Sequence, residues 1–222
     1  MKYIKYKENS GKYNMEYDSI LLDYAVKTKE KGVIIRFYGW NPPCVSLGRN
    51  QSAENINSAY CIENKIDIVK RVTGGRGLLH DDEVTYSFIC PVTMLEHGES
   101  IIQSYKEISY AIIKGFSHLD IQLELGGKKP IEASHDYCML LSTGADLSYN
   151  GKKLIGSAQY RTQGYILQHG SVLFSYKKEV IENIFNEKTP ANSITCMQEI
   201  NKDITRQDVI NAMTRGFNDC FD

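Results

Sequence analysis

The chain has 222 residues, 42% of them hydrophobic, with 26 basic and 27 acidic side chains and a formal net charge of -1. This is the balance of an ordinary globular protein with enough apolar residues for one sizeable core, and a single domain over residues 1–222 is expected. It excludes the classes that need a bulk positive field, binders of nucleic acid and of anionic membranes, so any basic site has to be local.

The first residues, MKYIKYKENSGKYNMEYDS, contain no apolar run of signal-peptide length, and no later segment approaches the roughly 20 apolar residues of a membrane span. A cytoplasmic location with no membrane partner is therefore expected. Residues 19–32, SILLDYAVKTKEKG, place apolar side chains at helical spacing before a glycine stop, and 33–40, VIIRFYGW, read as a strand. A proline turn and a short strand follow in 41–51, and 52–66 predict an amphipathic helix opened by Ser52. DIVKRV and VTYSFICP predict two strands on either side of the glycine-bearing TGGRGLLHDDE. The longest helix is predicted over 100–119, with Ile101, Tyr105, Ile108, Ile112 and Leu119 on its core face. Strands near 121–125 and 137–150 lead into KKLIGSAQYR and YILQHGSVLFS, which read as antiparallel sheet, and the tail from about residue 177 reads as helical. Strands joined both by hairpins and by helices predict an α+β fold with mixed, largely antiparallel sheets flanked by helices.

Six cysteines at wide, irregular spacing in a chain of this length predict reduced thiols and not a disulfide framework. The five histidines stand singly, without metal-ligand spacing, so no metal is expected.

Four stretches carry chemical information. In KRVTGGRGLLHD (70–81) paired glycines let backbone N–H groups approach a ligand, with Arg71 and Arg76 supplying charge. The segment lacks both the P-loop ending and the dinucleotide-binding spacing, and taken alone a Gly-Gly pair is more often a plain turn and a lone His80 more often structural. Cys138 could be an acyl-accepting nucleophile, since thioester exchange changes free energy little and an amine then takes the acyl group downhill to an amide. With an ordinary thiol pKa of about 8.5 it would need a cation or a base. Lys152 and Lys153 lie one hairpin away, and on a strand at most one of them points inward. Spacing alone favours the plainer reading, with Cys138 in the core and both lysines in water. In GSAQYR (156–161) Gly156, Ser157 and Ala158 leave room for a ligand or form a β-bulge, and His169 with Gly170 interrupts the alternating strand LQHGSVLF.

Taken together and in this order, RVTGGRGLLHDDEVTYSF, GKKLIGSAQYR and LQHGSVLF, with WNPPCVSLGRNQ upstream, resemble the lipoate–protein ligase and octanoyltransferase family from about residue 18 to residue 175. The resemblance implies the fold shared with biotin–protein ligases. GGRGLLHDDEVTYS looks more like the octanoyltransferases typical of Gram-positive bacteria than the ATP-dependent ligases, which usually carry Gly-Asn at Asp82-Glu83. That branch implies transfer of octanoyl from acyl carrier protein to a lysine of the glycine-cleavage H protein, or another lipoyl domain, through a cysteine acyl-enzyme and without a cofactor. Residue by residue it implies that Cys138 is the nucleophile and Lys153 the ammonium facing the acyl carbonyl. Arg71, Thr73, Gly74, Gly75, Arg76 and His80 then belong to the ligand-binding loop, and Gly156, Ser157, Ala158 and His169 to the acyl-site walls. Two features depart from the pattern: CMLLSTGADL replaces the usual Pro-Ser-x-Tyr-Glu-like run after the cysteine, and the accessory C-terminal domain of full-length ligases is not matched. The other readings are an ATP-dependent lipoate–protein ligase, with Cys138 incidental, and a non-catalytic module that binds an acyl group or a carrier protein.

Overall fold

In the computed structural model, which describes residues 1–126, 136–140, 146–190 and 192–222, the first strand β1 (Lys2–Asn9) leads directly into helix α1 (Gly11–Thr28). Next come β2 (Ile34–Trp40), β3 (Cys44–Leu47), α2 (Ser58–Glu63), β4 (Asp67–Lys70), β5 (Leu78–His80) and β6 (Glu83–Pro91). They are followed by α3 (Ile101–Ser117), β7 (Glu124–Leu125), β8 (Leu147–Tyr149), β9 (Lys152–Thr162) and β10 (Tyr165–Leu173), then α4 (Lys178–Phe185), α5 (Met197–Ile200) and α6 (Arg206–Phe221).

A seven-stranded sheet has the order β1-β2-β6-β10-β9-β8-β7, and a three-stranded sheet the order β4-β3-β5. Among the pairs of described strands only β1/β2 and β3/β4 are parallel. The α+β, largely antiparallel architecture expected from the sequence is the one observed. One face of the large sheet packs on α3 and α6 through Phe37, Tyr86, Phe88 and Phe217, all buried. Helix α1 covers part of the other face through Leu22 and Ala25, against Ile34, Ile89 and Leu167. The small sheet has its own core with Tyr137, Met139 and Phe185. The chain passes between the sheets twice: at Asn41–Pro43, from β2 to β3, and at Asp81–Asp82, from β5 to β6.

Several boundaries differ from the expectations. Helix α1 starts at Gly11, where Ser10 caps it by accepting a bond from the Tyr13 N–H, and not at residue 19. Its buried stripe is Gly11, Asn14, Met15, Asp18, Leu22 and Ala25, so the polar Asn14 and Asp18 break the apolar pattern over the first turns. With 18 residues it is also longer than α3, which has 17. Ser52 accepts from the Glu54 N–H in a local turn, and the helix expected from residue 52 begins only at Ser58 under an Asn57 cap. Ile101, at the first turn of α3, is 59% exposed, whereas Ile108 and Ile112 are fully buried. The β9/β10 ladder runs unbroken through Gly156–Ala158 and through His169–Gly170, so neither a bulge nor an interruption lies there. The strand expected over 137–150 falls partly on 141–145, outside the described residues. Its described portions are a 3-10 turn at Cys138–Leu140 and the strand β8.

Candidate active site

The two sheets face each other across a cleft that encloses about 350 Å³ of space open in part to solvent. Its floor is the large sheet, with Thr85 of β6 and Gly156 and Ser171 of the β9/β10 hairpin. Its roof is the small sheet, with Ser46, Leu78 and His80. Tyr38, Trp40 and Met15 close one side, and the half-buried Cys138 lies on the lining. Cys138 is held in place by its own N–H, which donates to the Gly77 carbonyl at 2.7 Å.

Lys153 is only 4% exposed, while Lys152 is half-buried, so one lysine of the pair turns inward. Its ammonium donates to the Cys138 carbonyl at 3.0 Å and pairs with the buried Asp146 carboxylate at 3.0 Å. It lies next to Gly156, where a Cβ would come within 3.5 Å of Nζ. The lysine thus grips the cysteine's own backbone while standing just outside the cleft lining.

The polar lining is organised by Arg71. Its Nε donates to Thr73 Oγ1 (3.0 Å), Nη1 to the carbonyl and hydroxyl of Ser46 (2.8 and 3.0 Å), and Nη2 to the carbonyls of Gly74 and Arg76 (2.8 Å each). All five guanidinium donors are therefore engaged within the protein. Burial holds the guanidinium below its ordinary pKa, and the interaction with a Cys138 thiolate works the other way.

Two similar chains of hydrogen bonds leave this arginine. Thr73 Oγ1 meets His169 Nε2 at 2.8 Å, and His169 Nδ1 meets Asp18 Oδ2 at 3.3 Å. Ser46 Oγ meets His80 Nε2 at 2.7 Å, and His80 Nδ1 meets Glu83 Oε1 at 2.8 Å. An ionised carboxylate only accepts, so each imidazole turns an Nδ1–H toward its carboxylate and, in the neutral form, offers a lone pair at Nε2. Asp18 is further held by Arg36 (2.9 Å) and by the Tyr38 hydroxyl (2.8 Å). Glu83 Oε1 also accepts from Thr85 and Ser171, while Glu83 Oε2 is buried without a partner. The His80 ring stacks on Trp40 with centroids 3.8 Å apart and planes 13° from parallel.

The structure thus brings Arg71, His80, Cys138, Gly156, Ser157, Ala158 and His169 to the cleft. Thr73 is buried behind it, and Gly74, Gly75 and Arg76 are exposed outside the lining, with the Arg76 guanidinium 3.5 Å from Asp136. Gly75 has φ 93°, the left-handed region that glycine takes without strain. Ser157 pairs with Gly170, and its hydroxyl lies 2.8 Å from that of Tyr86, whose ring packs on Phe217 of α6. The serine side chain therefore points through the sheet, away from the cleft. Sequence reasoning missed Ser46, Asp18, Glu83 and Asp146. Only the three-residue step from His80 to Glu83 across a turn offered a signal for any of them.

Over residues 10–218 the chain matches the lipoyl protein ligase A/B catalytic domain. It belongs to that family. Among its relatives, the octanoyltransferase LipM of Geobacillus kaustophilus is 35% identical over 181 residues, 78% of this chain and 65% of that protein. The LipM proteins of Macrococcus caseolyticus (38% over 191 residues, 82% and 69%) and Clostridioides difficile (31% over 231 residues, 96% and 85%) are similar. The first of these alignments spans slightly less than two thirds of the relative's own length. Among solved structures, a putative lipoate protein ligase of T. acidophilum with bound lipoic acid superposes with TM-score 0.77 at 20% identity, over 99% of this chain and 85% of that one. A lipoate-protein ligase A bound with ATP gives 0.78 at 20% identity, with the same 99% and 85% coverage. A biotin protein ligase from Aquifex aeolicus gives 0.51 at 10% identity, covering 99% of this chain and 70% of that chain. The family's fold is thus the lipoate- and biotin-ligase-like one expected from the sequence motifs.

Proposed function

We propose that the chain is an octanoyltransferase of lipoate biosynthesis, acting in the cytoplasm without a cofactor. It takes octanoyl from acyl carrier protein onto Cys138 and passes it to a lysine of the glycine-cleavage H protein or another lipoyl domain. The observation that carries this reading is the half-buried Cys138 on the cleft lining, with the Lys153 ammonium 3.0 Å from its carbonyl and Arg71 on the same lining. The names of the relatives support the acyl group and the acceptor class.

In this reading the Cys138 sulfur attacks the donor thioester, the C–S bond to the pantetheine arm breaks, and the thiol proton leaves with the released thiol. Lys153 supplies positive charge beside the carbonyl that turns into an oxyanion, a role whose removal typically costs ~10²–10³ in rate. Asp146 and Gly156 position that ammonium.

The test is the intact mass after incubation with octanoyl-acyl carrier protein in nucleotide-free buffer. An octanoyl adduct on the wild type, absent from Cys138→Ala and slow to form in Lys153→Met but not in Lys152→Met, is expected. Activity that appears only with free octanoate, ATP and magnesium would instead identify a ligase.

A further inference from the structure

Transfer to a lysine has a second proton problem. The acceptor arrives as an ammonium at neutral pH, and it has no lone pair with which to attack the thioester until one proton has gone. Lys153 is poorly placed to receive that proton, since it already donates to the Cys138 carbonyl and pairs with Asp146.

We propose that Ser46, His80 and Glu83 form the relay that removes it. Ser46 lines the same cleft as Cys138. Its oxygen accepts from Arg71 Nη1 (3.0 Å), so its own hydrogen is directed to His80 Nε2 (2.7 Å), and one lone pair remains for an incoming N–H. As the amine gives its proton to Ser46 Oγ, the serine hydrogen passes to His80 Nε2, and the imidazolium that forms is held against Glu83 Oε1 at 2.8 Å. The freed amine then attacks the thioester carbon and the C–S bond breaks. The second amine proton goes to the departing Cys138 sulfur, leaving amide, thiol and an imidazolium that returns its proton to solvent. Three features suit His80 to this step. Its Nδ1–H is fixed by Glu83, its ring plane by Trp40, and the carboxylate that must balance the new charge is buried with no other charged partner among its hydrogen bonds. Arg71 acts as a positioning residue, because its donation to Ser46 sets the direction of the wire.

This inference rests on the cysteine acyl-enzyme proposed above, and the experiment separates the two. Wild type, Ser46→Ala and His80→Gln are first loaded with octanoyl-acyl carrier protein, and the adduct is read by intact mass. Each loaded enzyme is then mixed in single turnover with either the H protein or hydroxylamine, a nucleophile that carries no ammonium proton at neutral pH. The expected result is normal loading, transfer to the H protein slowed on the order of 10²-fold in both variants, and discharge by hydroxylamine at the wild-type rate. A merely structural role would slow both nucleophiles by the same factor and overturn the relay. So would wild-type transfer to the H protein by Ser46→Ala, or failure of that variant to load. A wild-type chain that takes up no octanoyl would overturn the acyl-enzyme reading and the relay together, and is seen before either nucleophile is added.

Discussion

His169 is a buried imidazole at the cleft lining whose pKa is pushed below its ordinary value, chiefly by loss of water and in part by the Arg71 charge, with Asp18 opposing the shift. Protonating it would also leave the Thr73 hydroxyl, which receives the Arg71 Nε–H, facing a second donor at 2.8 Å. The folded state therefore keeps it neutral, while the unfolded chain takes up a proton as pH falls below about 6.5. The sign follows: no contribution at pH 8, and a loss of stability on acidification that levels off only below the depressed folded value. Urea midpoints between pH 8 and pH 5 should show a shallower acid-side decline in His169→Gln, by at most about 1.4 kcal/mol per pH unit, although that variant is weaker at pH 8. Parallel curves would mean that the ring titrates alike in both states. Little of this was legible beforehand. The sequence motifs singled out His80, His169 and Arg71, but nothing in their spacing says that the arginine's five donors are all taken or that Ser46 and Thr73 are its intermediaries. Those bonds join β3, the loop after β4 and β10, which meet only in the folded chain.

At the scale of the elements, the pairing of α3 with α6 depends on two glycines. A Cβ on Gly216 would lie 2.1 Å from the Ala111 carbonyl oxygen, and one on Gly115 would lie 2.5 Å from that of Ala212. Backbone cannot yield as a flexible side chain would, so the helices must separate. In Gly216→Ala the helix-propensity gain of roughly 0.5–1 kcal/mol should lose to an overpacking cost of about 1–3 kcal/mol. A net fall in stability read from the thermal midpoint is expected, and a rise would show that the helices can part freely. Hydrophobic periodicity found α3, β2, β6, β9 and β10, each of which sends buried apolar side chains into one shared core. It failed at β1, an edge strand carrying Lys2, Lys5 and Lys7, where exposed charge guards against pairing with another chain and hides the strand from an apolar search. It failed again over the first turns of α1, because Asn14 and Asp18 sit on the buried stripe to hold Arg36 and His169. The part of the helix that was missed is the part that reaches the site.

At the scale of the whole molecule, the cleft walls come from the first helix, both sheets and the segment around Cys138, so no short stretch of chain contains the site. Among the described residues no helix is long and apolar enough to cross a membrane. The central position of β10, between β6 and β9, also bears on the order in which the protein is made. A ribosome delivers β6 some eighty residues before β10, and until β10 arrives one edge of β6, buried in the finished sheet, has no partner. On refolding, pulsed hydrogen exchange should find the β6 amides that face β10 protected in the same phase as the β10 amides that face β6, and not before the β9/β10 hairpin. Early protection of β6 alone would count against this. His169 enters with that same strand, so the Asp18 carboxylate and the Thr73 hydroxyl gain their imidazole partner only then. A nascent chain halted short of residue 165 would hold the glycine loop and Cys138 but neither a complete floor for the cleft nor the second wire, so the thiol would wait beside a site that only the last strand of the sheet can close.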